Sequence, residues 1–335
     1  LGNTNPVYLS VVTTVGDENA ARVAFDSLSG EINATLRSVL VSDSDLTRDM
    51  ALARLRDSGS PGSGLWGNAI GNWGHYGSNE GTYEADSTTG GFLFGYDHTV
   101  SQALTLGVMA GYTRTDVSVD QLNSRAEADS FHLGLYAGGA WNGWTYKGGV
   151  AAAYNDADVS RDVRATSTLS QSLTSDQQIY STQVFAEAGY EFDVRGVTLE
   201  PFAGVARLYL TSSGFTEEGG SAALTATGQG DDTGFLWVGM RTAAAFDLFG
   251  AKATAKASVA WQHASAETVA FNQAFASGGD SFTVNGAPFS RDTAQVDAGL
   301  GVNLGGNADL DFSYSGRLGS DTQNHGVNAR LSIRF

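Results

Sequence analysis

The side chains best suited to acid–base chemistry in this chain are its histidines, which are spread over the whole sequence. They stand at five positions, His75, His98, His132, His263 and His325. A hydrolytic centre needs a histidine within hydrogen-bonding reach of a carboxylate and of a nucleophile. The acidic pair Asp231-Asp232 is expected near the three histidines at strand ends, which are His75, His263 and His325. Because no spacing joins these groups into one site, a hydrolase is only an alternative interpretation.

Carboxylates are also the usual ligands of divalent cations, and the chain contains several acidic clusters. They lie at Asp156–Asp162, Glu217-Glu218 and Asp231-Asp232. None has the ordered ligand spacing of a metal-binding loop, and a single Gly278-Gly279-Asp280 is not a calcium repeat. The sequence therefore predicts no metal site and no cofactor.

The composition restricts both the partner and the kind of membrane segment. The chain has 335 residues, with 19 Lys and Arg against 36 Asp and Glu, a formal net charge of −17. Nucleic-acid binding needs clustered basic side chains, so a nucleic-acid partner is not expected. The sequence has no apolar run of about 18 residues, the length that crosses a bilayer as a helix. Since only helices and closed barrels satisfy every backbone group in lipid, a membrane-spanning form must be a barrel.

The C-terminal residues show the period that such a barrel requires. From Val327 to Phe335 every second residue is apolar, and the residues between them are polar or cationic. A strand of this pattern has one apolar face and one polar face. In a membrane barrel the apolar face meets lipid and the polar face meets the lumen. We therefore expect Leu331, Ile333 and Phe335 to face outward on the last strand.

The N-terminal part has a different period. Apolar residues recur every three or four positions between Phe25 and Leu40, which predicts an amphipathic helix with Asp17 as its N-cap. A second helical segment is predicted from about Ser44 to Asp57, before a Ser-, Gly- and Pro-rich breaker at 58–64. Residues 1–16 contain a short β-rich run, Val7–Val12.

Alternation of apolar and polar residues then returns in twelve segments and continues to the C-terminus. They lie near 65–76, 86–97, 103–117, 126–141, 144–158, 177–193, 197–212, 233–248, 252–266, 290–304, 308–317 and 325–335. Short connections, such as the hairpin signal Asn142-Gly143, alternate with longer ones near 77–85, 118–125, 159–176, 213–232, 267–289 and 318–324. Membrane barrels sort their connections in this way. The predicted fold is all-β, a 12-stranded antiparallel transmembrane β-barrel with an N-terminal α-helix in the lumen.

A barrel of this size leaves room for one helix, and charged side chains on both partners could hold it there. The inward positions predicted from the alternation are Lys147, Glu187, Glu191, Arg207, Arg241, Lys256, Arg330 and Arg334. The helix offers Arg22, Asp26, Glu31, Asn33 and Arg37. Our hypothesis is that complementary pairs across the lumen hold the helix as a plug. The alternative is that these charges only solvate the wall.

Several phrases of the sequence resemble the translocator of type Va autotransporters. They are Phe25–Ile32 followed by the helix through Leu55, Phe275–Gly279, Phe282–Val284, Tyr314–Leu318 and the final Phe335. The resemblance covers about 17–335. It implies a remnant of an exported passenger at 1–16, a linker helix and flexible connector at 17–63, and a barrel at 64–335. Residues 1–16 resemble the last rung of a β-helical passenger.

The resemblance also implies a function and a location. The barrel would export or anchor an N-terminal passenger, as a monomer in the bacterial outer membrane with long loops outside and the C-terminus on the periplasmic side. Implied partners are outer-membrane lipid and lipopolysaccharide, periplasmic chaperones and the barrel-assembly machinery, for which Leu331, Ile333 and Phe335 would be the signal. Some family members cleave themselves at an Asn-Asn pair in the helix. Here Asn33 precedes Ala34, so we expect no self-cleavage and no enzyme activity.

Two alternative functions to a translocator are not enzymatic. A diffusion porin would share the strands but would not need the helix. A soluble all-β adhesin or lectin-like domain would stay soluble without detergent.

Overall fold

Twelve long antiparallel strands close into a barrel in the computed structural model, which describes residues 5–14, 16–57, 63–79, 81–101, 104–166 and 169–335. The barrel strands are β1 Gly64–Tyr76, β2 Ala85–Ser101, β3 Leu104–Val119, β4 Ser124–Trp141, β5 Trp144–Thr166, β6 Leu169–Tyr190, β7 Val197–Ser212, β8 Gly230–Leu248, β9 Ala251–Ala264, β10 Asp292–Gly305, β11 Ala308–Gly319 and β12 Thr322–Arg334. A short strand, Phe192–Val194, pairs with the start of β7. The predicted fold class and strand number are confirmed.

The first and last strands meet along their whole length, and we call this pairing the seam. Its register runs from Gly64 opposite Arg334 to Tyr76 opposite Thr322. Every other neighbour in the barrel is consecutive along the chain. The seam is therefore the pairing that joins the two ends of the barrel sequence.

One end of the barrel carries tight turns and the C-terminus, and we call it the turn end. Asn142 and Gly143 both have positive φ, at 49° and 81°, as do Phe249 and Gly250, at 48° and 88°. Two consecutive residues of this kind form the hairpin turn that matches strand twist. The hairpin predicted at Asn142-Gly143 is confirmed.

The opposite end, which we call the long-loop end, has connections of mixed length. Long ones span 77–84, 213–229 and 265–291. The predicted long connections at 118–125 and 318–324 are wrong, because a 3₁₀ turn at Asp120–Leu122 and a tight turn at 320–321 replace them. The predicted loop at 159–176 is also wrong, since β5 continues through it to Thr166 and β6 begins at Leu169.

The outer face of the barrel is apolar, as the alternation predicts. Leu133 and Leu135 are 67% and 58% exposed there, while Leu93 on the inner face is 1% exposed. A row of rings crosses five neighbouring strands on this face, formed by Phe92, Tyr112, Phe131, Tyr154 and Tyr180. Such aromatic rows mark the interfaces of membrane barrels.

Three helices precede the barrel, α1 Pro6–Thr14, α2 Glu18–Leu28 and α3 Glu31–Asp57. The β-rich run predicted at Val7–Val12 is wrong, because these residues lie in α1. Asp17 is the N-cap of α2, as predicted, and its Oδ1 accepts a hydrogen bond from the Ala20 N–H at 2.8 Å. Gly30, with φ of 67°, separates α2 from α3, so the break comes earlier than the predicted gap before Ser44. Among the described residues, no helix is both long and apolar enough to cross a membrane.

The helices occupy two different places. α3 lies in the lumen, and its 27 residues extend over about 40 Å at 1.5 Å per residue. α1 and α2 lie beyond the long-loop end and pack on the extension of β5 and β6. Their shared apolar cluster includes Val7, Leu28, Val163, Leu169 and Leu173. The extension of β5 and β6 therefore provides the apolar surface on which α1 and α2 pack outside the lumen.

The loops 213–229 and 265–291 fold over the long-loop end, and together we call them the loop cap. They form a small antiparallel sheet from Phe215–Thr216, Leu224–Ala226, Ala270–Phe275 and Phe282–Asn285. Gly286 approaches α3 so closely that an added Cβ would lie 2.4 Å from the Ala34 carbonyl oxygen. The cap therefore contacts the helix directly.

Candidate functional site: the lumen and its helix

The half of α3 nearest the long loops is enclosed on every side. All residues from Glu31 to Val41 are buried. Asn33 donates from Nδ2 to Gln273 Oε1 of the loop cap at 3.0 Å, and Gln177 of β6 donates to Asn33 Oδ1 at 2.7 Å. These three amides connect the wall, the helix and the cap.

One turn further along, Arg37 makes an ion pair that seals the same half. Its Nη2 lies 2.7 Å from Asp231 Oδ2 at the start of β8, and its side chain is fully buried. The guanidinium also lies 5.0 Å from the centre of the Phe271 ring, which stacks on Phe215. A cation over an aromatic face in a dry site is favourable, so Arg37 joins α3 to both the wall and the cap.

The other half of α3 is held mainly by charges. Arg48 Nη2 lies 2.7 Å from Asp45 Oδ1, donates to Gln262 of β9 at 3.1 Å, and its guanidinium lies 4.6 Å from the Trp237 ring. Arg317 of β11 pairs with Asp49 and lies 3.4 Å from Asp45. α3 thus presents both signs of charge to the wall.

At the turn end of α3, Arg54 enters a buried network. It pairs through Nε with Asp97 of β2 and donates from Nη1 to Ser332 Oγ of β12 at 3.0 Å. Asp97 also accepts from the Tyr136 hydroxyl of β4, which accepts from the Trp66 indole of β1 at 2.8 Å. All five side chains are buried.

Four charges form a compact cluster on the lumen wall. Lys147 Nζ lies 3.0 Å from Glu200 Oε1 and 3.6 Å from Glu187 Oε1. Arg241 Nη2 lies 2.8 Å from Glu187 Oε1, and its guanidinium lies 3.6 Å from the centre of the Phe202 ring. The structure brings together three predicted inward residues, Lys147, Glu187 and Arg241, with Glu200, which we did not predict.

The remaining inward charges pair along β11. Asp311 lies 2.8 Å from Lys256 Nζ and 3.2 Å from Arg330 Nη2. Arg334 pairs with Asp309 at 2.5 Å. Lys256, Arg330 and Arg334 therefore lie on the lumen side, as predicted.

One predicted lumen charge lies on the outer face, and another lies at the rim of the lumen. Arg207 is on the outer face, half exposed, where it pairs with Asp232; the prediction is wrong because Leu208 and Leu210 make both faces of β7 apolar, which hides the direction of the alternation. Glu191 is exposed at the end of β6, at the rim of the turn end.

Beside the charged half of α3 lies a cavity of about 270 Å³. It follows the helix from Ser42 to Arg56 and reaches the rim at Glu191 and Thr198. Charges of both signs line part of it, so it can hold water. The helix therefore fills the lumen tightly only in the half nearest the long loops.

Three of the five predicted helix residues lie at or beyond the long-loop end. Arg22 is exposed on α2 and does not enter the lumen, which corrects the prediction; the break at Gly30 places α2 outside. Asp26, also on α2, accepts from the Tyr83 hydroxyl at 2.6 Å, and Glu31 accepts from the Tyr83 N–H at 2.8 Å. Burial, opposed by the Tyr83 hydrogen bond and aided by the charge of Asp26, raises the pKa of Glu31 to about 7. Asn33 and Arg37 lie in the lumen as predicted.

The histidines do not assemble a hydrolytic centre with the acidic pair. His75 and His263 lie on the outer face, each 2.8 Å from one carboxylate, Asp86 and Asp292. Asp231 and Asp232 pair with arginines instead. Among the described residues, no group of three or more His, Cys, Asp or Glu is arranged to hold a metal ion.

The C-terminal strand has the orientation that its sequence predicts. Leu331, Ile333 and Phe335 are 44%, 48% and 67% exposed on the outer face. The centre of the Phe335 ring lies 6.2 Å from that of Tyr96, on which it stacks. The backbone N–H of Phe335 donates to the Ser63 carbonyl at 3.0 Å.

Sequence comparison finds a family model, the autotransporter beta-domain, that matches residues 65–315. Two curated relatives, both named extracellular serine protease from Serratia marcescens, are 32% and 31% identical over 99% of this chain. The chain spans 32% of the length of each of these relatives.

Solved structures show the same architecture. The translocator domain of the autotransporter NalP from Neisseria meningitidis matches with a TM-score of 0.69 at 16% identity, over 89% of this chain and 99% of that chain. The beta domain of the Bordetella autotransporter BrkA matches with a TM-score of 0.58 at 18% identity, over 82% and 100%. At these identities the likeness concerns the fold.

Proposed function

This chain belongs to the autotransporter beta-domain family and is an outer-membrane translocator for a passenger, and on this premise we propose that α3 plugs the barrel and anchors the passenger after export. The observation that supports the plug most directly is the burial of every residue from Glu31 to Val41 between the wall and the loop cap. A porin would need an open lumen, which this arrangement does not leave.

We further propose that the long-loop end faces the outside of the cell and that the C-terminus lies on the periplasmic side. Barrels of the outer membrane have short periplasmic turns and longer external loops. The tight turns at Asn142-Gly143 and Phe249-Gly250 lie at the same end as the C-terminus, which supports this orientation. α2 then leaves the barrel towards the outside, where a passenger would be.

The division of the chain follows from the same orientation. We propose a barrel at 64–335, a linker segment at 17–63 and a passenger remnant at 1–16. α1 packs beside α2 outside the lumen, which fits a remnant that has already crossed the membrane.

The proposed partners follow from the location. Outer-membrane lipid and lipopolysaccharide would contact the outer face of the barrel. Periplasmic chaperones and the assembly machinery would bind the chain before insertion, with Leu331, Ile333 and Phe335 as the signal. The barrel would work as a monomer.

Single-channel conductance tests the plug. We expect the full chain to conduct weakly in planar bilayers and a chain without residues 1–63 to open a wide, steady pore. Arg37→Gln, which removes the buried ion pair, should increase opening events, whereas Arg22→Gln on the exposed face of α2 should not. Equal, fully open pores with and without residues 1–63 would rule out the plug.

A further inference from the structure

The Arg54 network crosses the seam from the inside of the barrel. Ser332 lies on β12 and Asp97 on β2, on either side of β1. Arg54 donates to both, so one side chain of α3 bridges the strands that flank β1. Its partners belong to opposite ends of the barrel sequence.

The network also includes β1 itself. Trp66 is the register partner of Ser332 across the seam, and its indole reaches the Tyr136 hydroxyl at 2.8 Å. Tyr136 donates in turn to Asp97. The hydrogen bonds therefore form one connected path around the seam. It runs from β12 to β2 through Arg54 of α3, and from β2 to β1 through Tyr136 of β4.

Burial gives this arrangement its strength. Arg54 and Asp97 are 5% and 1% exposed on their side chains. A buried ion whose partner is removed is strongly unfavourable, because it has left water without compensation. Asp97 thus requires the Arg54 guanidinium, and the guanidinium lies in place only when α3 is in the lumen.

We infer that Arg54 is a positioning residue that clasps the seam, so that seating of α3 and closure of β1 on β12 stabilise each other. The inference rests on the proposed plug and adds a second role for the helix. α3 fills the lumen, and its end also fastens the pairing that completes the barrel.

Hydrogen exchange on the folded full chain tests the clasp, because amide exchange reports local opening. In Arg54→Gln, amides of β1 and β12 should exchange roughly tenfold faster or more. The pairing of β6 with β7 should exchange as before. Ser332→Ala, a milder change, should show a smaller increase confined to the same two strands.

Arg48→Gln is the matched control. It also removes a buried arginine from α3, but that arginine bonds to Gln262 of β9, away from the seam. Because Arg54 and its partners remain, we expect amides of β1 and β12 to exchange more slowly than in Arg54→Gln. An equal increase in the Arg48 and Arg54 variants, or an increase spread evenly over the barrel, would overturn the clasp.

A second measurement covers the case in which Arg54→Gln fails to close. The chain has no cysteine, so a disulfide can be placed at chosen strand pairs. Ala69 and Ala329 are partners across the seam, and Ala188 and Ala203 are partners between β6 and β7. Ala69→Cys with Ala329→Cys, oxidised, should restore a barrel that migrates fast on unheated gels, whereas Ala188→Cys with Ala203→Cys should not. Rescue by neither pair or by both would contradict the clasp.

Single-channel conductance distinguishes failure of the clasp from failure of the proposed plug. An open pore in the unmodified chain would contradict the plug and would leave the exchange and rescue results to decide on the clasp.

Discussion

The two halves of α3 are held in the lumen by different means. Near the long loops, amides, one ion pair and aromatic rings close around the helix, and Asn33 and Arg37 are fully buried. Towards the turn end, Arg48, Arg54 and Arg317 connect the helix to the wall, and a cavity of about 270 Å³ remains beside it. One half is enclosed on every side, and the other half has buried ion pairs with a cavity beside them that water can enter. Sealing and anchoring are thus separate tasks along one helix.

The largest effect should come from breaking the buried wall cluster in the half of the barrel that holds the cavity. Arg241→Ala removes one of the two ion-pair partners of Glu187 and Glu200 and leaves them Lys147, which should cost about 3–5 kcal/mol. The temperature at which the fast-migrating folded band disappears on a gel measures this. Arg207→Ala on the outer face removes an exposed pair and should cost less than about 1 kcal/mol. Equal losses for the two variants would contradict the distinction between the buried wall and the outer face.

The sealed half should respond to pH at the junction between α2 and α3. The pKa of Glu31 is raised to about 7 from 4.5, so the folded state holds this proton more tightly than the unfolded chain. The stability that this bound proton gives the folded state is fully present below pH 4.5. It is lost as the pH rises through 7, and the loss amounts to up to about 3 kcal/mol. Exchange of the Tyr83 amide, corrected for its intrinsic pH dependence, should therefore show more opening at pH 8 than at pH 5. Glu31→Gln should remove that difference, and a difference that persists would assign it to another group.

A smaller loss is expected from the amide contacts of the sealed half. Asn33→Ala removes two buried hydrogen bonds and leaves Gln177 and Gln273 each short of a partner, which should cost about 2 kcal/mol. Because the three amides join the wall to the loop cap, opening events in single-channel recordings should become more frequent. Thermal unfolding and conductance measured on one preparation check both parts. A destabilised variant with an unchanged closed pore would show that the amides stabilise without sealing.

The sequence predicts most of the barrel because alternation is a local property. The direction of β12, the turn at Asn142-Gly143 and the inward position of Lys147 each follow from neighbouring residues. The alternation does not give the direction of Arg207, because β7 is apolar on both faces. The extension of β5 and β6 differs from the predicted loop, and Val159, Val163, Leu169 and Leu173 keep an apolar alternation in part of it.

The site was less predictable, since its contacts join residues that are far apart along the chain. Asn33 meets Gln177 and Gln273, and no local pattern marks either glutamine. Arg48 and Arg54 lie in the second half of α3, outside the set of helix charges that the sequence analysis places against the wall. Asp97 is predictable from the alternation along β2. It lies two residues after Gly95 and four after Leu93, and all three are at inward positions.

Cysteine accessibility tests the central claim most directly, namely that the seated helix seals the half near the long loops and leaves the other half hydrated. Ser313 lines the cavity and Ser38 of α3 is fully buried. In the cysteine-free chain, reconstituted in bilayers, Ser313→Cys should react quickly with a charged thiol reagent supplied on both sides, and Ser38→Cys should react only after unfolding. Rapid labelling of Ser38→Cys in the folded barrel would contradict the account.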